Sequence, residues 1–328
     1  MAGPTLCFVI FSGTPEAPSP RFWRGPSCRF WPPSVRRDFS RINAARTAIH
    51  GKMDALKTVA QNLLIQLKKA ASNPEDVYVS IVPFNKDVNL SAANYAQSWL
   101  RWDLWEASNG SCSHSRRNSK SSCESRGDTW TAADHSTWSG CVTDRDQNFE
   151  ITNDPSLAGS ALYPAEQYAS CPESTMELSN DWTALNAKII AMQPEGNTNQ
   201  TIGLQLGWQT LTQSPFTIPA QNPNYNYSQA IILLTDGLNT DDRWYSYASS
   251  IDAREKTTCD NIKAAGITIY TVQVNTGRDP TSSLLQSCAS SSGKFFLLTS
   301  ANEIVATFDR SGTALTQSEA RDVTLRRQ

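Results

Sequence analysis

The sequence predicts an α/β fold with a doubly wound, mostly parallel sheet. From residue 52 onward, segments with helical spacing alternate with short apolar segments that are typical of strands. Segment 230–235 (AIILLT) is continuously apolar, as expected of a strand buried on both faces. Strands that alternate with helices form parallel units wrapped on both faces of one sheet.

Each element is predicted from its own pattern, in chain order. Apolar residues recur at helical spacing from Met53 to Leu67, and Asn73-Pro74 ends this helix. Segment 77–84 (VYVSIVPF) alternates and is rich in β-branched residues, so it predicts a strand. Further helices are predicted at 181–192, 201–212, 251–265, 280–289 and 302–315, and further strands at 230–235, 267–274 and 294–298.

Residues from about 94 to 180 are predicted to be a long insertion rich in Cys, Trp and Ser. Their periodicity is weak, and a stretch of that length without strong elements is unusual in a compact domain. Its tryptophans favour either a surface that binds a carbohydrate or a partner, or a small hydrophobic core beneath a disulfide-tied loop. Its four cysteines allow three pairings, and two nearby histidines leave a zinc site as a weaker alternative: Cys112, Cys123, Cys141 and Cys171, with His114 and His135.

The composition excludes several classes of protein. Lys and Arg total 29 and Asp and Glu total 31, so the chain lacks the basic excess of a nucleic-acid binder. The sequence contains no run of about 20 apolar residues, which a membrane-spanning helix would need. Eight cysteines without a CxxC pair favour disulfides in an oxidising compartment, although residues 1–12 lack the basic start of a secretory signal.

The first fifty residues do not match the rest of the chain. They contain seven arginines, no lysine and seven prolines, with aromatic residues in no regular period. We expect a disordered segment, or a start site assigned upstream of the true domain. The alternative is a basic aromatic tail that docks on an acidic lipid or a partner.

Two residues are candidate metal ligands. Asp236 follows the buried strand 230–235, and Thr198 lies in the loop that opens the helix at 201. Ligands bind at the carboxyl ends of the strands in such sheets, and hard divalent cations prefer oxygen ligands of this kind. Each residue also has a simpler explanation, because Asp236 suits a tight turn and Thr198 suits a helix start. Asp241 and Asp242 lie on the same loop as Asp236.

Residues 51 to about 317 resemble the von Willebrand factor A-type (vWA) domain of TadG-like Flp pilus-assembly proteins. The segments that carry the resemblance are GKMDALKTVAQNLLIQLK, VYVSIVPFNKDVN, GNTNQTIGLQLGWQTL, AIILLTDGLNT, TCDNIKAAGITIYTVQVN and SGKFFLLTSANEIVATF. The resemblance implies a Rossmann-like doubly wound sheet bearing a metal-ion-dependent adhesion site. Such a site holds Mg²⁺ through an Asp-x-Ser-x-Ser loop, a Thr and an Asp, and a partner's acidic side chain completes it. Thr198 and Asp236 match that Thr and that Asp.

The sequence departs from this pattern near its start. No Asp-x-Ser-x-Ser loop precedes the helix at Met53. We also expect the family's membrane anchor to be missing. Thr198 and Asp236 alone supply few ligands for Mg²⁺, so we expect a weak or absent metal site. Leu6–Phe11 (LCFVIF) could replace the central strand, with Ser12 and Thr14 at its tip. The resemblance also places the helices that carry Cys259 and Cys288 side by side, which implies a disulfide between them.

Together these features predict a vWA-like domain at 51–317, between the segment 1–50 and a tail at 318–328. The predicted function is a non-enzymatic protein-binding module, with a pilus or envelope component as its partner, on the periplasmic or cell-envelope side. The alternatives are a metal-dependent hydrolase or phosphatase that uses Asp236, and an inert remnant. The enzyme alternative is weak because Leu238 occupies the position of the second Asp that this chemistry needs, and no P-loop or Gly-x-Ser-x-Gly motif is present.

Overall fold

The computed structural model describes residues 2–11, 39–71, 76–220, 226–235, 238–275 and 280–299. Seven α-helices lie in these ranges: α1 (Phe39–Ala70), α2 (Asp103–Ser108), α3 (Lys120–Glu124), α4 (Trp182–Ala191), α5 (Gln200–Thr212), α6 (Ala248–Ala264) and α7 (Ser283–Cys288). The same ranges hold twelve strands: β1 (Ala2–Phe11), β2 (Tyr78–Phe84), β3 (Val88–Asn89), β4 (Leu100–Arg101), β5 (Gly110–Cys112), β6 (Trp130–Ala132), β7 (Cys141–Val142), β8 (Tyr163–Pro164), β9 (Met176–Ser179), β10 (Asn226–Thr235), β11 (Thr268–Val274) and β12 (Phe295–Leu298).

One large sheet forms the centre, with the strand order β12-β11-β10-β1-β2-β3-β7 and with β9 also paired to β2. The strands from β12 to β2 are parallel, whereas β3, β7 and β9 are antiparallel additions. Ile10 pairs with Leu234 of β10 and with Pro83 of β2. The carboxyl ends of the three central strands therefore meet at one edge.

The structure differs from the prediction for residues 1–50 in two places. Ala2–Phe11 forms the central strand β1, and α1 begins at Phe39 rather than near Met53. A strand between two parallel strands is buried on both faces and must be apolar. The run Leu6–Phe11 is apolar and uncharged, so it can occupy this central position. The alternative of a replacement central strand thus agrees with the structure. Ser12 and Thr14, and the helix predicted at 302–315, lie outside the described residues.

Helices cover both faces of the sheet, and β10 shows why its sequence is continuously apolar. Ile232 and Leu234 belong to the apolar cluster that includes α1 and α4, whereas Ile231 and Leu233 belong to the cluster that includes α5, α6 and α7. Alternate side chains of a strand point to opposite faces, so both sets must be apolar when both faces are covered. Each of these four side chains is fully buried.

Helix α5 is buried along nearly its whole length. Every residue from Gln200 to Leu211 is buried. The insertion covers the side that faces away from the sheet, where Gln205 and Gln209 donate to the carbonyls of Thr152 and Asp154 at 3.2 and 2.8 Å. A helix covered in this way must find partners for its polar groups inside the protein.

The insertion is a folded part of the domain. It contributes β7 and β9 to the main sheet, and disulfides Cys112–Cys123 and Cys141–Cys171 tie it. Trp105 and Trp138 are buried in the main apolar cluster, and Trp102 stacks on His135 with ring centroids 3.8 Å apart. Trp105 and Trp138 thus pack into the main core, rather than into a separate small core beneath the loop.

A buried arginine organises the middle of the insertion. Arg145 is 1% exposed, and its guanidinium donates to four backbone carbonyls, those of Phe149, Thr152, Asp154 and Ala161. Five fixed N–H donors on one planar group make this possible. The backbone of the loop that follows β7 therefore surrounds the Arg145 guanidinium.

The implied Cys259–Cys288 disulfide is present, and it joins α6 to the end of α7. No helix in the described ranges is long and apolar enough to cross a membrane.

Replacing Cys259 and Cys288 by serine should lower the free energy of unfolding by about 3 kcal/mol, because the disulfide closes a loop between two core helices. Replacing Cys112 and Cys123, which lie only 11 residues apart, is the matched control and should cost less. Urea unfolding followed by circular dichroism measures both. Equal losses would contradict the placement of the first disulfide in the core unit.

Candidate functional site

The candidate site lies at the carboxyl ends of β1, β2 and β10. Three segments meet there: residues 85–87 after β2, residues 193–199 before α5, and residues 238–247 after β10. Hydrogen bonds join the three segments. Asn199 N–H donates to the Asn85 carbonyl at 2.9 Å, and Thr240 N–H donates to the Thr198 carbonyl at 2.9 Å. The structure thus brings the loop that carries Thr198 against the loop that follows β10.

Thr198 lies at the centre of this junction and is 1% exposed. Its N–H donates to the hydroxyl of Thr240 at 2.8 Å, so both of its backbone groups are paired with the neighbouring loop. Its own hydroxyl is buried and, among the residues that the structure describes, has no hydrogen-bond partner. A buried hydroxyl without a partner costs roughly 1–3 kcal/mol, so it is the kind of group that a bound ion or water would satisfy.

Asp236, the other predicted ligand, lies outside the described residues, as does Gly237. The structure describes the residues on either side of this pair. Thr235 ends β10 and is fully buried, and Thr240 contacts Thr198 as described. Asp241 accepts a hydrogen bond from the Asn197 side chain at 3.2 Å. Asp242 instead accepts from the N–H groups of its own loop, at Trp244 and Tyr245.

The helix cap at Asn199 brings in an acidic residue that the sequence did not single out. The Asn199 side-chain oxygen accepts from the N–H groups of Thr201 and Ile202, and its amide nitrogen donates to both carboxylate oxygens of Asp144 at 3.0 and 2.8 Å. Burial and the charge of Asp242 raise the pKa of Asp144 to about 7. Only the folding of the insertion onto α5 places this carboxylate here.

A second buried carboxylate, Asp87, follows β2 and was also missed. It is fully buried, and the Thr143 hydroxyl is one of its polar neighbours. Burial and the charge of Glu166 raise its pKa well above the usual range, while the ammonium of Lys86, 3.8 Å away, lowers it. Lys86 also pairs with Glu166 at 2.7 Å, so one ammonium serves two carboxylates.

Metal-ligating side chains gather in only one group of three within the described ranges, namely Glu255, Cys259 and Cys288. Both cysteines are in a disulfide, so they are not metal ligands. The same reason removes the zinc alternative in the insertion, because Cys112, Cys123 and Cys141 are in disulfides. Of the family's ligand set, the described residues supply the Thr198 hydroxyl, and its burial without a partner fits that role.

The family model described as the von Willebrand factor type A domain matches residues 165–310. The chain has a vWA fold. The predicted fold class is therefore confirmed, and the matched residues contain Thr198, α5 and β10. A search of curated proteins gave no match.

Several solved structures are similar to this chain at low identity. The pilus adhesin SpaC from Lactobacillus rhamnosus GG is 12% identical with a TM-score of 0.47, over 97% of this chain and 30% of SpaC. Proximal thread matrix protein 1 from the mussel byssus is 13% identical with a TM-score of 0.44, over 96% of this chain and 47% of that protein. The vWF domain of the type V pili tip protein Mfa5 from Porphyromonas gingivalis is 10% identical with a TM-score of 0.45, over 97% of both chains. This chain thus spans less than half the length of SpaC and of the byssus protein.

Replacing Asn199 by alanine should lower the free energy of unfolding by about 3 kcal/mol at pH 8, because the helix cap and the partner of a buried carboxylate are lost together. Asp181 caps α4 through the N–H groups of Thr183 and Ala184 and is exposed. Asp181→Ala is thus the matched control, with an expected loss of about 1 kcal/mol. Urea unfolding measures both, and similar losses would show that the Asn199–Asp144 contact adds nothing.

Proposed function

We propose that this chain is a non-enzymatic protein-binding vWA module of a TadG-like pilus-assembly or cell-envelope protein. Its partner binds at the carboxyl edge of the sheet, beside Thr198. The observation that carries the proposal is the buried Thr198 hydroxyl, which has no hydrogen-bond partner in the part of the chain that the structure describes. The hydroxyl lies on a loop fixed by Thr240, so its position does not depend on a ligand.

A divalent cation suits this position, and Thr198 and Asp236 would hold it. When bound, the cation supplies an open coordination position for an acidic side chain of the partner. The ligand set is incomplete without an Asp-x-Ser-x-Ser loop, so the cation is held weakly. The three disulfides support a location outside the reducing cytosol, on the envelope side.

The surroundings of the site favour binding over catalysis. Loop 238–247 carries exposed apolar side chains, with Leu238 60% and Tyr247 75% exposed. Arg243 lies over the Trp244 ring at 4.2 Å, which holds that ring at the surface. Exposed aromatic and aliphatic side chains on a fixed loop suit a protein partner.

Titration of the chain with Mn²⁺, a paramagnetic substitute for Mg²⁺, should broaden the amide signals of Thr198 and Thr240 in a weak but saturable manner. Thr198→Val keeps the side-chain shape and removes the hydroxyl, so it should abolish the saturable part. Thr210→Val is the matched control, since Thr210 is also buried in α5 but lies about 15 Å further along the helix. It should leave the broadening unchanged.

No saturable broadening in the wild-type chain would refute the metal-assisted proposal and favour an inert remnant. Equal broadening in Thr198→Val would place the cation elsewhere. Phosphatase turnover that is lost in Asp236→Asn would overturn the non-enzymatic assignment.

A further inference from the structure

The Asn239 side chain joins the start of α5 to α6. It is 2% exposed, and its carbonyl oxygen accepts from the N–H of Gln200 at 2.8 Å. Its amide nitrogen donates to the carboxylates of Asp252 at 2.8 Å and Glu255 at 2.6 Å. An amide group has one acceptor oxygen and two N–H donors, so its orientation is fixed by these partners.

This side chain lies next to the groups that hold Thr198. Gln200 follows Thr198 by two residues, and Thr240, the next residue after Asn239, pairs with Thr198 through two hydrogen bonds. Asn239 therefore holds the start of α5, directly after the loop that Thr240 holds. Movement of Asn239 would move the first turn of α5 and the Thr198 hydroxyl with it.

Glu255, which anchors Asn239, has an unusual environment. It is fully buried, and its second carboxylate oxygen has no hydrogen-bond partner within the described ranges. The charged group that faces it is Asp252 on the same helix, and the Cys259–Cys288 disulfide packs beside it and does not titrate. Arg254, the neighbouring cation, pairs instead with Glu150 of the insertion.

We propose that Asn239 is a positioning residue for the Thr198 site, and that the protonation state of Glu255 controls how firmly it holds the start of α5. An ionised carboxylate accepts a stronger hydrogen bond from the Asn239 amide than a neutral carboxyl does. Polarisation of that amide then strengthens the bond that its oxygen accepts from Gln200. The importance of this control for binding rests on the proposed function, whereas the coupling itself does not.

The pH range follows from the burial of Glu255. Burial, together with the charge of Asp252, raises the pKa of Glu255 to about 8. The folded state therefore binds a proton that the unfolded chain has already released above its ordinary pKa of about 4.5. The stability that this group contributes is complete below pH 4.5 and is lost as the pH rises through 8. The hydrogen bond between the Asn239 oxygen and the Gln200 N–H changes in the opposite direction and becomes stronger above pH 8.

The test uses the amide signal of Gln200 in the ligand-free chain, followed by ¹⁵N NMR from pH 6 to 9.5. In the wild type, the Gln200 signal should titrate with an apparent pKa near 8. Glu255→Gln keeps an acceptor for Asn239 and should abolish this titration. Asp252→Asn removes the like charge and should shift the midpoint to lower pH.

Lys256→Gln is the matched control, because Lys256 is the next residue on α6 but is exposed and pairs with Asp260. It should leave the Gln200 titration unchanged. A wild-type Gln200 signal that does not titrate near pH 8 would overturn the proposal, as would a titration that persists in Glu255→Gln. If Glu255→Gln does not fold, the direction of the Asp252→Asn shift decides.

Because this readout needs no metal or partner, its failure is separate from failure of the proposed function. The link between them is tested by repeating the Mn²⁺ titration at pH 7 and pH 9. Wild-type affinity should rise relative to that of Glu255→Gln at the higher pH. An unchanged ratio would restrict Glu255 to a structural role.

Discussion

The burial of α5 is the constraint on which the candidate site depends. The first N–H groups of a helix have no partners within the helix, and here water cannot supply them because the helix start is covered. Side chains of Asn199 and Asn239 accept from these groups instead. Each of these asparagines is in turn held by a buried carboxylate. Satisfying one helix start thus fixes two loops and two acidic side chains around Thr198.

Buried carboxylates at this edge make the domain sensitive to charge. Asp87, Asp144 and Glu255 are almost completely buried, and burial raises the pKa of each. A fold retains such groups at a cost in stability, since burying a charge is unfavourable unless it is paired. Here Asp144 and Glu255 accept from asparagine amides, and Asp87 faces a lysine.

The insertion is a structural part of the α/β domain and of the candidate site. It supplies two strands of the main sheet, the outer cover of α5 and the carboxylate of Asp144. The loop after β7 is held by the guanidinium of Arg145, which donates to four backbone carbonyls. The site is therefore composite, built partly from the α/β units and partly from a segment with almost no periodic pattern.

The sequence by itself determined the alternation of helices and strands outside the insertion, because each of those predicted elements has an apolar pattern of its own. The strand at 230–235, the helix at 201–212 and the candidate ligand Thr198 follow from such local patterns. The tertiary structure alone decided that Ala2–Phe11 enters the centre of the sheet, since strand pairing depends on segments distant in the chain. It also decided which carboxylates meet α5. Asp144 and Glu255 lie 55 residues on either side of Asn199 and Gln200 in sequence, and no local spacing relates residues so far apart.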